Sequence, residues 1–546
     1  MSPKEARVAV YLALGELAPA YIGKELQMGE KLMIKAVAKA FEISDKEVTS
    51  KYKETGDLGE VIQILGKQKN IKENMSLIQT YDTLIKIAQI TGKGSVEGKV
   101  NAFAQLLKEL DLNAAKFIVR IPLGALRLGF YDATILDALS VINAGDKSLR
   151  KKIERAYNVS ADIGLITEKF LEGGLKALKN IKIKVGIPIR MAGAERLPSA
   201  QKIIEKLGPC AVEPKYDGFR LQIHKSDLEI KIYSRNLENV SAMFPDVSQM
   251  AKNLPQKEII FEGEAIGYNP DSGEFLPFQE TIQRKRKYDI DLFSKDIPLR
   301  VFVYDLLYLE GQNIFSLPYK ARRAIMEKIF PQKNELGITL TPMDIVSDPK
   351  TLEKKFNEYV SEGLEGVVVK KLDAPYQAGA RGYHWVKFKR AMRGELADTI
   401  DCLVMGYYAG RGKRSDFGIG AILVGVYDEK LKNFKTVAKI GTGLSDEEWR
   451  QMKKKIDTIK TRLKPKEYDV AKELIPDVWA KPQIVIEIQA DEITKSPLHS
   501  AARDYFKEAG LALRFPRMVR WRDEKEPNQS TNVKELIELY KMQSQK

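Results

Sequence analysis

The sequence predicts a multidomain α and α+β protein, with an all-helical N-terminal part, a central α+β part and a small C-terminal β-barrel for which an OB-fold is one candidate. Three observations carry this. A chain of 546 residues is too long for one hydrophobic core. Apolar residues recur at helical spacing as far as about Lys184. Beyond Ala200 the apolar period becomes two, and after about Arg393 short strand-like runs follow one another between turns. Domain limits of 1–188, 189–393 and 394–546 follow from these changes of period.

In the helical part, Phe103, Leu106, Leu107 and Leu110 fall at i, i+3, i+4 and i+7, while Ile135, Leu139 and Ile142 follow a candidate cap at Asp132. The run KQKNIKENMS, Lys67 to Ser76, lacks apolar period and reads as a solvated loop. Val185 to Ala200, with two prolines and two glycines, marks a boundary. In the central part Leu228, Ile230 and Ile232 alternate with Glu229, Lys231 and Tyr233, and IIFEGEAIGY, LRVFVYDLLYL, GVVVKKL and HWVKFKR are further strand candidates. ARRAIMEKIF is a helix among them. The last part offers CLVMGYYA, GAILVGVYD, FKTVAKIG and PQIVIEIQA.

Composition narrows the function classes. Two distant cysteines, Cys210 and Cys402, both in apolar runs, exclude a disulfide framework and a thiolate metal cluster, and three histidines argue against a histidine-rich site. A metal here would be a hard cation held by carboxylates, phosphates and water. No apolar run reaches the roughly 18 residues of a membrane span. The N-terminus carries Glu5 and Glu16 among its apolar residues and does not read as a signal peptide, so a cytoplasmic location is expected. The 89 Lys+Arg against 74 Asp+Glu leave +15, which favours a polyanionic partner without saying which.

The sharpest local signal is EPKYDGFR, with Glu213, Lys215, Asp217, Gly218 and Arg220 at a turn before a strand. A lysine beside a turn is commonly a solvated charge, but an unprotonated amine can form a covalent intermediate, and neighbouring carboxylates and metal ions set its charge state. SRNLENV with Arg235, FEGEAIG with Glu264, VFVYDLLYL with Tyr304, EGVVVK with Glu365 and WVKFKR with Lys387 and Lys389 follow in order. Tyr304 suits stacking on a purine or ordinary core packing. Glu264 and Glu365 suit ribose and metal or a strand-edge ion pair. Lys387 and Lys389 share a strand face that suits a phosphate or simple solvation.

These six elements, in this order, resemble the motif series of covalent nucleotidyltransferases: ATP-dependent DNA ligases, RNA ligases and mRNA-capping guanylyltransferases. FLPFQETIQRKRK, DTIDCLVMGYYAGRGKR, PDVWAKPQIVIEIQADEITKSP and GLALRFPRMVRWRDEKEPNQST resemble DNA ligase signatures, and NAAKFIVRIPLGALRLGFYDATILDAL resembles the helical DNA-binding domain of archaeal and eukaryotic-type ligases. The resemblance implies a helical DNA-binding domain, an adenylation domain and an OB-fold domain. It also implies the sealing of nicked double-stranded DNA in replication, recombination and repair, with ATP as cosubstrate and Mg²⁺ or another divalent cation. Residue by residue, it makes Lys215 the nucleophile. Glu213 and Tyr304 would frame the adenine, Arg220 and Glu264 face the ribose, and Arg235 meet phosphate. Arg381 and Lys387 would complete the pocket, Lys389 add charge, Glu365 with Glu264 hold metal, and Arg522 and Lys525 act on pyrophosphate in the first step.

Three departures stand out. The family's DGE is Glu262-Gly263-Glu264 here, and its RxDK is Arg522-Asp523-Glu524-Lys525. In several archaeal relatives the loop corresponding to KQKNIKENMS carries a glutamine and paired aromatics that dock on a sliding clamp; Gln68 is present here and the aromatics are not. An RNA ligase or capping enzyme, a non-catalytic scaffold, and a plain surface ion pair of Lys525 with Asp523 or Glu524 are the competing expectations.

Overall fold

The computed structural model describes the chain except residues 67–74, 125, 127, 228, 270–274, 277, 286–289, 332–336, 363, 390–398, 411–417, 442–443, 508 and 545–546. Most of the 67–76 segment, including Gln68, therefore lies outside the described residues. The N-terminal part is helical: α1 (Pro3–Leu14), α2 (Glu30–Phe41), α3 (Asp45–Thr55), α4 (Leu58–Leu65), α5 (Leu77–Ala88), α6 (Ser95–Glu109), α7 (Leu112–Ile118), α8 (Asp132–Ala144), α9 (Arg150–Ser160) and α10 (Ile163–Leu178). Ser2 caps α1 and Ser76 caps α5, each with a reciprocal bond from the third residue on. The apolar stripe of α6 is buried as its spacing predicts, with Phe103, Leu106 and Leu107 all in the core. For α8 two expectations are corrected. The N-cap is Tyr131, with Asp132 already inside the first turn. Ile142 is 70% exposed, because the helix turns Leu136 and Leu139 inward instead.

The chain divides into two compact units. The first comprises Met1–Gln27, Met75–Ile90 and Leu128–Arg390; the second comprises Met28–Asn74, Thr91–Arg127 and Ala391–Lys546. No helix among the described residues is long and apolar enough to cross a membrane.

The first unit holds α1, α5 and α8–α10 together with two sheets built from β1 (Gly193–Arg196), β2 (Cys210–Lys215), β3 (Phe219–Ser226), β4 (Glu229–Ser234), β5 (Glu258–Gly267), β6 (Leu299–Leu309), β7 (Gln312–Asn313), β8 (Ile338–Leu340), β9 (Asp344–Val346), β10 (Gly366–Lys371) and β11 (Arg381–Lys389). One sheet runs β1-β11-β10-β2-β9; the other runs β4-β3-β5-β6-β7, with β8 beside β6. Each sheet buries one face under helices. Leu352 and Phe356 cover Val212, Val367 and Val369 of the first sheet, and Val247 and Met326 cover Ile223, Phe261 and Val303 of the second. Ile260, Leu307, Tyr376 and Trp385 form a smaller apolar cluster with Ile189 and Ala192. The 185–200 segment is thus packed: the Ile189 N–H donates to Gln222 (2.8 Å), and the Arg190 N–H donates to the Asn158 carbonyl on α9 (2.8 Å).

The second unit holds α2, α3, α4, α6 and α7, and a strand-rich C-terminal part with a curled sheet: β12 (Ile400–Tyr408), β13 (Ala421–Asp428), β14 (Asn433–Ile440), β15 (Lys460–Thr461), β16 (Tyr468–Asp469), β17 (Val478–Ala480), β18 (Val485–Gln489), β19 (Glu492–Ser496), β20 (Gly510–Arg514) and β21 (Arg517–Trp521). The curl originates in β12. It pairs β18 through Ile400–Leu403, shifts register between Val404 and Gly406, then pairs β17. Such a bulge bends the strand and lets it change partners. Trp449, fully buried from the helix Asp446–Thr458, fills the core beside Cys402 and Ile486. Both cysteines are buried free thiols, as their apolar surroundings predict.

Candidate active site

Lys215 ends β2, directly opposite Gly366 on β10, and the Glu365 N–H donates to the Lys215 carbonyl (3.1 Å). That register sets Glu365 beside the lysine. Its carboxylate ion-pairs with Lys215 through one oxygen and with Lys389 through the other. Two glycines make the geometry possible. A Cβ on Gly218 would lie 2.4 Å from the Ala265 carbonyl oxygen, and one on Gly366, where φ is +139°, would lie 2.3 Å from that of Phe388. Close backbone approach thus explains the glycine of the KxDG tetrad and that of EGVVVK.

Cations converge around this point. Burial pushes the Lys215 ammonium below its ordinary value, Arg235 pushes the same way, and Glu264 and Asp217 oppose. The Lys387 ammonium is lowered by burial and by Arg196, Arg381, Lys215 and Arg235. Arg196 pairs in register with Lys387 across the parallel β1–β11 contact, as Gly193 does with Arg381. Arg196 belongs to this group although no motif in the sequence marked it. Arg235 is exposed, just past the end of β4.

Glu264 faces Arg220 across β3 and β5. Burial pushes its carboxyl up to about 7, with Lys215 and Arg220 pulling it down. Its ordinary value is 4.5, so between pH 4.5 and about 7 the folded protein binds this proton more tightly than the unfolded chain does. The stability it contributes is full below that window and is lost as pH rises through it. Glu264→Gln should therefore gain on the wild type by roughly 2–4 °C in apparent melting temperature across this window, the scale of about 1 kcal/mol in a part of this size. A difference independent of pH would rule out a carboxyl titrating there.

Arg220 donates to the Ala192 carbonyl (2.6 Å) and to Glu262 (2.8 Å). Glu262, fully buried, also accepts from Gln222 (3.1 Å) and Tyr376 (3.0 Å). The first acid of EGE is therefore the anchor of Arg220, and its extra methylene is taken up inside this network. The Arg220 guanidinium lies 5.8 Å from the Tyr304 ring centroid and 5.5 Å from that of Trp385. Tyr304 stands edge-on to Trp385, and its buried hydroxyl has no hydrogen-bond partner among the described residues. Glu213 turns its carboxylate away into a buried cluster, where it pairs with Lys370 (2.7 Å) and accepts from the Tyr319 hydroxyl. Lys370 in turn donates to the Tyr304 carbonyl (2.6 Å). Glu262 and Lys370 stood in the EGE and EGVVVK strings without a role, and Tyr376 and Trp385 were not marked by sequence reasoning.

Among the described residues no three His, Cys, Asp or Glu side chains form a metal-holding group. Glu264 and Glu365 flank Lys215 as two hard oxygen donors, which suits a divalent cation completed by phosphate oxygens and water. In the second unit, Arg522 donates to Asp401 (3.0 Å), Glu487 (3.1 Å) and Glu524 (2.6 Å), and Lys525 donates to Asp401 (2.6 Å). The ion-pair partner of Lys525 is thus Asp401, in place of Asp523 or Glu524, and Asp523 pairs with Lys455 (2.9 Å). The acids beside Lys525 in sequence are already engaged, Glu524 by Arg522 and Asp523 by Lys455.

Three stretches of the chain match known family models. Residues 1–140 match the family described as DNA ligase N terminus, 192–389 the ATP dependent DNA ligase domain, and 415–525 the ATP dependent DNA ligase C terminal region. A "Probable DNA ligase" of Dictyoglomus turgidum is 47% identical over 542 residues, covering 99% of this chain and 92% of that one. A "DNA ligase" of Saccharolobus solfataricus is 42% identical over 554 residues, covering 98% and 91%. The solved structure Pmar-Lig_PreS3 aligns with a TM-score of 0.52 at 17% identity over 90% of this chain and 99% of that chain, a likeness of fold. With matches spanning nearly its whole length, the chain belongs to the ATP-dependent DNA ligase family.

Proposed function

We propose that this chain seals nicks in double-stranded DNA by carrying AMP on Lys215, with the three-part division at 188 and 393 separating DNA grip, adenylation and the OB-fold. The observation that supports this most is the cation cluster around Lys387, to which Arg196, Arg381, Lys215 and Arg235 contribute, next to the ion pair of Lys215 with Glu365. That is a site for a triphosphate next to a nucleophile.

The Lys215 amine attacks the α-phosphorus of ATP; an N–P bond forms and pyrophosphate leaves. An ordinary lysine is neutral at pH 7 in only about 10⁻³ to 10⁻⁴ of molecules, and the downward push at Lys215 enlarges that fraction. A 5′-phosphate oxygen of the nick then takes AMP as the N–P bond breaks. The 3′-hydroxyl attacks the 5′-phosphorus, the phosphodiester forms and AMP leaves. Tyr304 and the backbone of Glu213 frame the adenine, and Arg220 and Glu264 hold the ribose. Arg235, Arg381, Lys387 and Lys389 hold phosphate. Glu264 and Glu365 would hold Mg²⁺, which would supply charge neutralisation at the phosphates. In the second unit Arg522 and Lys525 serve the pyrophosphate step. The enzyme acts in the cytoplasm, and clamp docking through 67–76 is no part of the proposal, because that segment has no paired aromatics.

The test is incubation with α-labelled ATP and Mg²⁺, followed by a chase with nicked DNA. Label should appear on the protein and leave as sealed product forms. Label only from GTP, or transfer only to nicked RNA, would favour a capping enzyme or RNA ligase.

Lysines and arginines on phosphates position a protein without reading bases. Nick affinity should therefore vary by less than about threefold among unrelated nick sequences, while log affinity falls against log salt by about 0.9 per phosphate contacted. A salt-independent affinity, measured by titration at several ionic strengths, would contradict a phosphate grip.

A further inference from the structure

Asp401 and Glu487 face each other directly across β12 and β18. Like charges opposite one another on neighbouring strands are destabilising, so packing alone gives no reason for the pair. Both are about nine-tenths buried, and cations bridge them. One terminal nitrogen of Arg522 donates to each, at 3.0 and 3.1 Å, and Arg520, in register with Glu487, donates to it at 2.6 Å. The second Asp401 oxygen takes Lys525 at 2.6 Å. One carboxylate therefore holds two cations three residues apart, on either side of the Asp523-Glu524 turn.

Asp401 is itself fixed from both backbone sides. Its N–H donates to the Thr531 hydroxyl (3.0 Å), and its carbonyl accepts from the Thr531 N–H (2.9 Å). The carboxylate is thus a rigid post, whereas Lys525 and Arg522 are long side chains that would repel each other without it. Lys525 meets Asp401 with one of its three N–H groups, and Arg522 binds its acids through Nε and one terminal nitrogen. Both cations keep donors for a second anion.

We propose that Asp401 is a positioning residue for adenylation, holding Lys525 and Arg522 together so that they meet the pyrophosphate end of ATP as a pair. The inference rests on the reading that Lys525 serves the pyrophosphate step. Asp401 touches no reacting atom and acts only through the two cations.

The test compares Asp401→Asn, Asp401→Glu, Lys525→Ala and the double variant Asp401→Asn with Lys525→Ala. Three rates are read: adenylation by ATP, return of AMP from Lys215 to added pyrophosphate, and sealing of a nick that already carries AMP. Asp401→Asn should slow adenylation by about tenfold or more, within the roughly 10² that a misplacement of about 1 Å can cost. It should also raise the KM for pyrophosphate and leave the sealing of adenylated nicks unchanged, which reports an intact fold. Asp401→Glu should recover part of the loss, and the double variant should be slower than Lys525→Ala by less than the factor that Asp401→Asn costs alone, because only the positioning of Arg522 is then left to lose. Loss in Lys525→Ala with none in Asp401→Asn would overturn the positioning role while the pyrophosphate reading stands. No loss in Lys525→Ala would overturn both. Faster adenylation in Asp401→Asn would mean that the carboxylate restrains the cations, and fully additive losses would mean that it acts elsewhere; either result sinks the proposal.

Discussion

Lys215→Ala and Lys215→Arg are each expected to form no AMP adduct. Alanine removes the amine. Arginine keeps the cation at the same place and can still pair with Glu365, but its guanidinium stays protonated and is no nucleophile. The contrast matters because Lys215 is held in place by the charges of the site. It meets Glu365 directly and lies within the fields of Glu264, Asp217 and Arg235. A purely structural lysine in that position would tolerate arginine, and adenylation would then survive on another amine, with Lys389, the second partner of Glu365, the nearest competitor. Intact-mass spectrometry after incubation with ATP and a divalent cation decides the matter. One AMP on the Lys215→Ala protein would end the assignment, and the modified peptide would name the true nucleophile. Both variants should still seal a nick supplied already adenylated, since the last step does not use the Lys215 amine as a nucleophile. Loss of that step as well would point to a collapse of the Glu365 network.

Lys525→Ala should lose ATP-dependent adenylation by about 10² or more, the scale of one lost electrostatic stabiliser at a developing charge. Pyrophosphate leaves only in the first step, so a nick that already carries AMP should be sealed at nearly the normal rate. The competing account makes Lys525 a surface ion pair. At 30% exposure for its side chain and 10% for that of Asp401, the pair is only partly shielded and is worth at most about 1 kcal/mol of stability. That account predicts a small change in melting temperature and no preference between steps. Single-turnover rates for the two steps separate the two accounts, and equal losses in both, or none in either, would rule out the step-specific role.

How far the site could be read in advance differs from residue to residue. Strand alternation sets Lys387 and Lys389 on one face, and the family resemblance grouped them with Lys215 and Glu365; the structure adds that one carboxylate serves two of the lysines. Arg196 was invisible, because a lone arginine in a Pro- and Gly-rich segment looks like a linker charge until β1 is seen to pair in parallel with β11. Glu262 looked like a lengthened first acid, and only its three donors, Arg220, Gln222 and Tyr376, show what it does. The short strands β15, β16 and β17 escaped because two or three residues carry no measurable period.

The sequence by itself determined the helical, α+β and strand-rich succession, the long strands β5, β6 and β11, and the chemistry available at Lys215, because periodicity and motif order are local properties of the chain. Partner choice was decided by tertiary structure alone. Ile142 keeps helical spacing with Leu139 yet faces outward, since only packing tells which side of an apolar helix is covered. Glu213 turns to Tyr319, 106 residues away, and Lys525 to Asp401, 124 residues away, past the acids beside it in sequence. A charge takes the partner whose position the fold has already fixed, because the entropy of ordering that partner has been met by the strand that carries it.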